Sequence, residues 1–456
     1  MSAVLAESLL AKYDVPAPRY TSYPTVPCWD TTPSEAQWLE HLDAALGAGA
    51  RQAAALYVHV PFCGALCTFC GCNTRITRSH SFVPVYNQAL LRELDLYLTR
   101  LGRTEVEYGE LHFGGGTPTF LSIEELEALL GALFQRLRAR AGASASIEVD
   151  PRVTSRAQLQ LLARYGFRRI SLGVQDFDVR VQEIVNRVQS EQEVREVTDS
   201  ARELGFDSVN FDLIYGLPLQ TRASIEATMD AVCRLRPDRI AFYGYAHVPW
   251  IKPGQRRFTE ADLPQGADRL ALYELGRERL QRAGYREIGL DHFALQSDGL
   301  WQAARSGSLH RNFMGYSTAF TTPLIGLGVS AIGDAGDAFA QNEKDLQRYH
   351  ERVSREELPI QRGHLLDAED QVLRTHILRL MTRLSTRWDS PAERTPWLQQ
   401  AIERLAEPAA DGLVQLEAGG CRITERGRPF LRNICMAFDA RLARRLPGRA
   451  VFNQGA

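Results

Sequence analysis

Four of the eight cysteines in this 456-residue chain fall between residues 63 and 72: Cys63, Cys67, Cys70 and Cys72. The spacing Cys63-x₃-Cys67-x₂-Cys70 is the strongest chemical signal in the sequence, because thiolates at short fixed intervals bind metals or carry redox chemistry. A structural zinc site wants four ligands in two separated pairs or a Cys/His mixture, and no second CxxC or HxxxH accompanies this one. An electron-transfer iron–sulfur cluster needs four thiolates, and Cys72 could supply the fourth across a short Cys-x-Cys step. Three thiolates on a [4Fe–4S] cluster leave one iron open to an exogenous ligand, the feature that separates a reactive site from a closed one. Spacing favours the third reading and leaves the other two open. Cys28, Cys233, Cys421 and Cys435 are scattered and read as buried structural thiols.

The elements that must position this cluster can be read on either side of it. Runs rich in β-branched and aromatic residues occur at 55–62, 109–115, 145–151, 169–175, 209–216 and 240–246. Between them lie segments whose leucines recur at three- and four-residue intervals, the helical period. Helices between successive strands force parallel pairing with right-handed crossovers, so the chain is α/β. A partial or complete (β/α) barrel is expected, with an open doubly wound sheet as the alternative. Both folds gather chemistry at the C-terminal ends of the strands, where the cysteines, the glycines at 114–116, Glu148, Asp150, Gln175 and Asp212 stand.

Residues 1–54, with PRYTSYPT at 18–25, read as an N-terminal arm, and 55–364 as the barrel domain with extensions. Beyond about 250 the pattern turns helical with glycine-rich interruptions such as 326–333. Residues 365–456 read as a small, mainly helical C-terminal domain with a β-like piece near 413–424. The charge balance, 53 basic against 55 acidic residues, gives no global field for nucleic acid or an anionic membrane. No apolar run approaches the roughly 18 residues of a membrane span, and Glu7 and Lys12 interrupt any secretory core. A cytoplasmic protein is expected, and nothing demands a partner subunit, so a monomer.

CGALCTFC, behind a strand that opens a (β/α) series, resembles the signature of the radical S-adenosylmethionine (SAM) enzymes, with Phe69 as the aromatic residue before the third cysteine. GGGTP at 114–118 is similar to the turn that contacts the methionine group of SAM in that superfamily. More of the chain, from about 17 to 440, resembles the oxygen-independent coproporphyrinogen III oxidases. The carriers are PRYTSYPT, LYVHVPFC, CGCN with Cys72, LHFGGGTPTF, SIEVDPR, LGVQDF, VNRVQ, NFDLIYGLP, YAHVP, GLGVSAIG and RNICMAFD.

The resemblance implies a partial (β/α) barrel of the radical SAM type, with a [4Fe–4S] cluster on Cys63, Cys67 and Cys70 and two SAM molecules. The implied reaction converts two propionates of coproporphyrinogen III to vinyl groups, with an electron donor as partner. It implies SAM contacts for Tyr57, Phe69, Gly115, Gly116, Thr117, Glu148, Gln175, Arg187, Asp212, Ala246 and Ile332. The alternative is a haem-handling chaperone on the same barrel, from which Cys72 and the arm distinguish this chain. Catalytic residues beyond these are not assigned. His59 reads as a packed, hydrogen-bonded strand histidine, and Tyr20 and Tyr23 as candidates to close the pocket. Arg441, Arg444 and Arg445 read as a solvated helix face, with binding of the acidic substrate as the alternative.

Overall fold

Six strands form where apolar and polar residues alternate with the two-residue period of a pleated chain. They are β1 (Ala54–Val60), β2 (Val106–Gly115), β3 (Leu137–Val149), β4 (Phe167–Gln175), β5 (Ser208–Tyr215) and β6 (Arg239–Gly244). On each strand one set of alternate residues packs into the main apolar core: Leu56 and Val58, Leu111 and Phe113, Ile147 and Val149, Ile170 and Leu172, Val209 and Phe211, Ile240 and Phe242. The other set, among them His112, Ser146, Glu148, Ser171, Asn210, Asp212 and Tyr243, lines a cavity. One strand pattern thus builds a dry outer layer and a polar lining together.

Each of these strands pairs in parallel with the next. Their order never reverses, which is the order of a barrel wall and excludes the doubly wound sheet, whose order turns back at a switch point. The crossovers are helical and carry their start signals in the sequence. Ser122, Ser155, Ser190 and Thr221 each cap the following helix, with the side chain at the third helical position closing a capping box.

The wall extends beyond six strands. β8 (His292–Ala294) adds antiparallel to β6, and β7 (Arg286–Ile288) adds antiparallel to β8. β9 (Leu324–Leu327) pairs in parallel with β1, and β10 (Ile332–Asp334), β11 (Ala338–Asn342) and β12 (Ile360–Leu365) follow antiparallel. The result is a twelve-stranded open sheet, β12-β11-β10-β9-β1-β2-β3-β4-β5-β6-β8-β7. The expectation of helical structure after residue 250 is therefore corrected for 324–365. β9 and β11 are buried on both faces, so they lack the alternation that marks β1–β6, and β10 is only three residues long.

This computed structural model describes residues 9, 12–13, 15–47, 53–318, 322–390 and 395–444, so Glu7 and Arg445 lie outside the described residues. Within the arm, the helix Glu35–Gly47 buries Trp38 and Leu42 against the main core. Tyr13, Tyr20 and Tyr23 join a second apolar cluster with Leu373, Ile377, Leu380, Phe430 and Ile434. That cluster sits among the helices Ala368–Arg383, Pro396–Arg404 and Leu431–Met436 and a three-stranded sheet of Ser385–Arg387, Gly420–Ile423 and Val414–Glu417. Tyr20 and Tyr23 are packed there rather than on the cavity. Among the described residues no helix is long and apolar enough to cross a membrane.

Candidate active site

The cavity inside the wall measures about 1060 Å³. Cys63, Cys67, Cys70 and Cys72 line it at the end where β1 leaves the sheet, all as free thiols, with Cys72 exposed and the other three half-buried. The loop is held in place from several sides. Thr68 N–H donates to the Val185 carbonyl at 2.9 Å and Asn186 Nδ2 to the Leu66 carbonyl at 2.7 Å. The fully buried Gln255 donates to the carbonyls of Phe69 (3.0 Å) and Ala246 (3.1 Å), tying the loop to the chain leaving β6.

Positive charge stands behind the thiols. Arg187 Nη1 lies 3.6 Å and Arg152 Nη2 3.8 Å from Cys67 Sγ, and both guanidiniums also bind Asp150. Burial pushes the Asp150 carboxyl up, but Arg152 and Arg187 hold it below its ordinary value. Burial, helped by the charges of Cys70, Cys67 and Asp150 and opposed by the Thr117 hydrogen bond, pushes the Cys63 thiol up to about 11. Cys70 is lowered by its hydrogen bond with Cys72, opposed by burial and helped by the charges of Lys252 and Arg187. Among the described residues no three His, Cys, Asp or Glu side chains converge tightly enough for one metal ion. A four-iron cluster bonds its thiolates at separate irons, so it needs no such convergence, and thiolate donors backed by guanidinium groups fit it.

The glycine turn after β2 faces the thiols. A Cβ on Gly115, whose φ is +112°, would lie 2.6 Å from the His59 ring, and one on Gly116 would lie 2.7 Å from the Pro61 carbonyl. Only glycine permits that approach. Gly115 N–H donates to Glu148 Oε2 at 3.1 Å, His112 Nε2 lies 3.3 Å from Oε1, and His112 Nδ1 bonds Ser146 Oγ at 2.8 Å. Burial raises Glu148, yet His112 and the Gly115 amide keep it below the ordinary carboxylate range. Thr117 Oγ1 lies 3.5 Å from Cys63 Sγ. Asp212 binds Ser171 Oγ and Asn210 Nδ2, both at 2.9 Å, and burial together with the Glu148 charge pushes it up to about 6.

Of the residues expected at the site, Phe69, Gly115, Gly116, Thr117, Glu148, Gln175, Arg187 and Asp212 line the cavity with the cysteines. Gln175 ends β4 with a left-handed φ of +67°, whereas Asp212 sits in mid-β5, deeper than the strand end expected for it. Tyr57, Ala246 and Ile332 do not line the cavity. Tyr57 OH bonds His59 Nδ1 at 3.1 Å and its ring stacks on His112. Ile332 presses its backbone on Gly326, the register partner of Tyr57. His59 is buried, with Nε2 bonded to the Asn73 carbonyl at 2.9 Å. Arg152, His112, Asn210, Gln255 and the inner ion pair Arg169–Glu110 were not singled out from the sequence. For Glu110 and His112 on β2, Arg169 on β4 and Asn210 on β5 the signal was present, since they are polar residues alternating with apolar ones.

Two further expectations are corrected. Arg441 is not a solvated side chain, since it pairs with buried Asp370 and with Asp30, whereas Arg444 is exposed as expected of a solvated face and pairs with Glu369. Cys421 and Cys435 are buried, but Cys28 and Cys233 are only half-buried.

A barrel wall that opens three thiols onto a cavity beside a glycine turn is the arrangement of the radical SAM enzymes, and the family pattern described as Radical SAM superfamily matches residues 57–232. An oxygen-independent coproporphyrinogen III oxidase of Pseudomonas aeruginosa is 40% identical over 438 residues, 94% of this chain and 95% of the relative. One from Escherichia coli is 40% identical over 442 residues, 95% of each. The solved structure of coproporphyrinogen III oxidase (HemN) from Escherichia coli, described as a radical SAM enzyme, superposes with a TM-score of 0.86 at 40% identity, covering 92% of this chain and 97% of that one. The chain belongs to the oxygen-independent coproporphyrinogen III oxidases. It is a radical SAM oxidoreductase of haem biosynthesis that uses a [4Fe–4S] cluster and SAM.

Proposed function

We propose that the cavity converts two propionate side chains of coproporphyrinogen III to vinyl groups, releasing two CO₂ and giving protoporphyrinogen IX. The observation that carries this reading is one continuous cavity with thiols at one end and Arg169, Arg239, Tyr243, His292 and Tyr316 at the other. Its volume of about 1060 Å³ lies just above the roughly 300–1,000 Å³ usual for small-molecule sites, which suits a large substrate beside its cosubstrate.

When bound, the cluster and SAM would supply a 5′-deoxyadenosyl radical to take one β-hydrogen atom from each propionate, after which CO₂ leaves and the one remaining electron passes to an acceptor outside the chain. The chain's own residues prepare that chemistry. Cys63, Cys67 and Cys70 would hold the cluster, with the Arg152 and Arg187 guanidiniums beside Cys67 Sγ to offset the negative charge of thiolate ligands. The Glu148 carboxylate and the close-approaching backbone of Gly115 and Gly116 receive the cationic end of SAM, with Phe69, Thr117, Gln175 and Arg187 around it. Asp212, braced by Ser171 and Asn210, supplies a second anionic anchor deeper in the barrel, which supports two SAM molecules in one cavity. Tyr57 acts through His59 and His112, while Ala246 and Ile332 shape the backbone around the site. The enclosing wall keeps water and oxygen from the radical.

The enzyme works in the cytoplasm as a monomer, since one chain completes the cavity lining, and it draws its electron from a separate donor. Anaerobic incubation of the iron-loaded protein with SAM, a chemical reductant and coproporphyrinogen III, followed by mass analysis, tests the reading. Loss of two CO₂ with 5′-deoxyadenosine formed is expected. Deoxyadenosine without decarboxylation would overturn the substrate assignment.

A further inference from the structure

A second, smaller cavity lies outside the active site and, among the described residues, shares no lining residue with it. It measures about 30 Å³, room for one water-sized occupant. Three parts of the chain meet around it: Arg19 from the arm, Tyr215 and Gly244 at the ends of β5 and β6, and Arg432 from the helix Leu431–Met436. The Tyr243 ring of the active-site lining lies 5.1 Å from the Arg19 guanidinium, and Asp291 of the small cavity is bonded to His292 of the large one. The two cavities therefore stand back to back.

The surroundings of the small cavity hold an excess of buried cation. Arg432 is buried; its Nε donates to the Pro18 carbonyl at 3.1 Å and its Nη2 to that of Ala17, both neutral acceptors. Burial and the charges of Arg19 and Arg269 push it down to about 10, against the opposing charges of Tyr215 and Asp291. Arg269, on the helix Gly266–Arg282, donates from Nη2 to the Tyr245 carbonyl at 3.1 Å, while its Nε is buried without an acceptor among the described residues. Arg311 donates from Nη2 to the Arg19 carbonyl at 3.4 Å, and its Nε and Nη1 are buried in the same condition. Among the described residues the lining itself contributes two guanidiniums and one carboxylate. That carboxylate, Asp291, is held by His292 Nδ1 at 2.7 Å and lies 3.9 Å from Arg19 Nη1. Neighbouring carboxyls are engaged elsewhere. Glu287 accepts from Tyr273 OH and faces Arg428 and Arg277, and Asp439 accepts from Tyr20 OH and the Leu442 amide. A buried charge needs a counter-charge, and a guanidinium can only donate.

We propose that this cavity is a binding site for one monatomic halide anion such as chloride. A halide only accepts hydrogen bonds, and it carries the charge that Arg19, Arg269, Arg311 and Arg432 call for. A water of the same size brings no charge, and a phosphate or carboxylate ligand is larger than the space. The Arg19 side chain, 33% exposed, leaves a way in from solvent. Bound there, the anion pins the arm, the ends of β5 and β6 and the C-terminal helix together, because it offsets guanidiniums that otherwise repel one another across the junction. The site does not depend on the reaction assigned to the large cavity.

The test uses the full-length, iron-loaded enzyme in sodium gluconate and follows its melting temperature as chloride or bromide replaces gluconate at constant ionic strength. The wild type should gain about 2 °C or more and then level off, as binding at one site requires. Arg19→Gln removes one cation of the lining and should weaken the apparent halide affinity about tenfold or more. Proteolysis within residues 15–33 should slow with halide in the wild type and change little in the variant. Should Arg19→Gln misfold, Tyr215→Phe, which takes only a hydroxyl from the lining, gives the same reading with a smaller loss of affinity. Crystals soaked in sodium bromide locate the ion, with an anomalous peak expected between Arg19 and Arg432. A melting temperature that ignores halide or climbs without levelling off overturns the proposal. So does an equal halide response in wild type and folded variants, or a water in the place of bromide in the soaked crystal.

Discussion

At the scale of single residues, the site depends on backbone that comes too close for side chains and on carboxylates kept ionised in a half-dry wall. Gly116 is the sharpest case, because a Cβ there would meet the Pro61 and Phe62 carbonyls at 2.7–2.8 Å and so push directly on the start of the thiol loop. Gly116→Ala is expected to cost about 1–3 kcal/mol of stability, the usual toll of overpacking. Lowered iron content after reconstitution and a reduced melting temperature check this, and an unchanged iron content would show that the loop tolerates the shift. Glu148 is a case of charge. Its carboxylate accepts from the Gly115 amide and faces His112. Glu148→Gln keeps the shape and removes the anion, so SAM affinity should fall about tenfold or more, as expected for a charged hydrogen bond worth about 1.5–3 kcal/mol. Equilibrium binding of SAM to the iron-loaded variant measures it, and an unaltered Kd would remove Glu148 from the SAM site.

At the scale of elements, the edge strands are fastened to the barrel through one buried carboxyl. Glu93 projects from the helix Val83–Arg100 and accepts from Gly328 N–H (2.8 Å), Tyr349 OH (2.6 Å) and Asn342 Nδ2 (2.6 Å). Burial pushes Glu93 up to about 7 against the opposing pull of those donors. Between about pH 4.5 and 7 the folded protein then holds a proton that the unfolded chain has released, so rising pH favours unfolding. Glu93 should cost roughly 3 kcal/mol across that window, at about 1.4 kcal/mol per pH step. Glu93→Gln removes this slope, and denaturant midpoints at pH 5 and pH 7.5 measure it. A slope equal to that of the wild type would show that Glu93 is ionised in the fold.

The same elements show why the sequence was only partly legible. β1–β6 announced themselves because each buries one face in the core and turns polar residues to the cavity. Ser122, Ser155, Ser190 and Thr221 marked where the crossover helices begin. β9 and β11 stayed hidden because every residue of Leu324–Leu327 and Ala338–Asn342 is buried, leaving no two-residue alternation to detect. The cysteines were legible from spacing alone. Arg152 and Gln255 were not, since their role depends on loops that meet only in the folded chain.

At the scale of the whole molecule, Tyr13, Tyr20 and Tyr23 of the N-terminal arm are built into the C-terminal module, while Trp38 and Leu42 of its helix pack on the barrel core. Tyr20 OH donates to Asp439, Asn433 Nδ2 to the Tyr13 carbonyl, and Arg432 to the carbonyls of Ala17 and Pro18. Arg19 reaches the other way, to the Gly244 carbonyl at the end of β6. Farther along, Leu365 N–H of β12 donates to the Thr31 carbonyl. Arg441 closes this strap. Its Nε and Nη2 hold Asp370, which is 1% exposed, at 2.7 and 2.8 Å, while Nη1 holds Asp30 of the arm at 2.8 Å. Removing one partner of a buried ion pair ordinarily costs about 3–5 kcal/mol, because the other charge stays buried. Here His364 still faces Asp370, so Arg441→Met should cost about 2–3 kcal/mol, somewhat below that range. The loss should appear first as release of the arm: proteolysis within residues 15–33 accelerates at temperatures where the barrel still holds its iron. Asp370 is raised by burial but held below its ordinary value by His364 and Arg441, so the stability that Arg441 adds is present above about pH 4 and disappears as the carboxyl protonates below it. Wild type and variant should therefore converge in arm protection on acidification, and a difference that persisted undiminished at low pH would mean that Arg441 acts by packing rather than by charge.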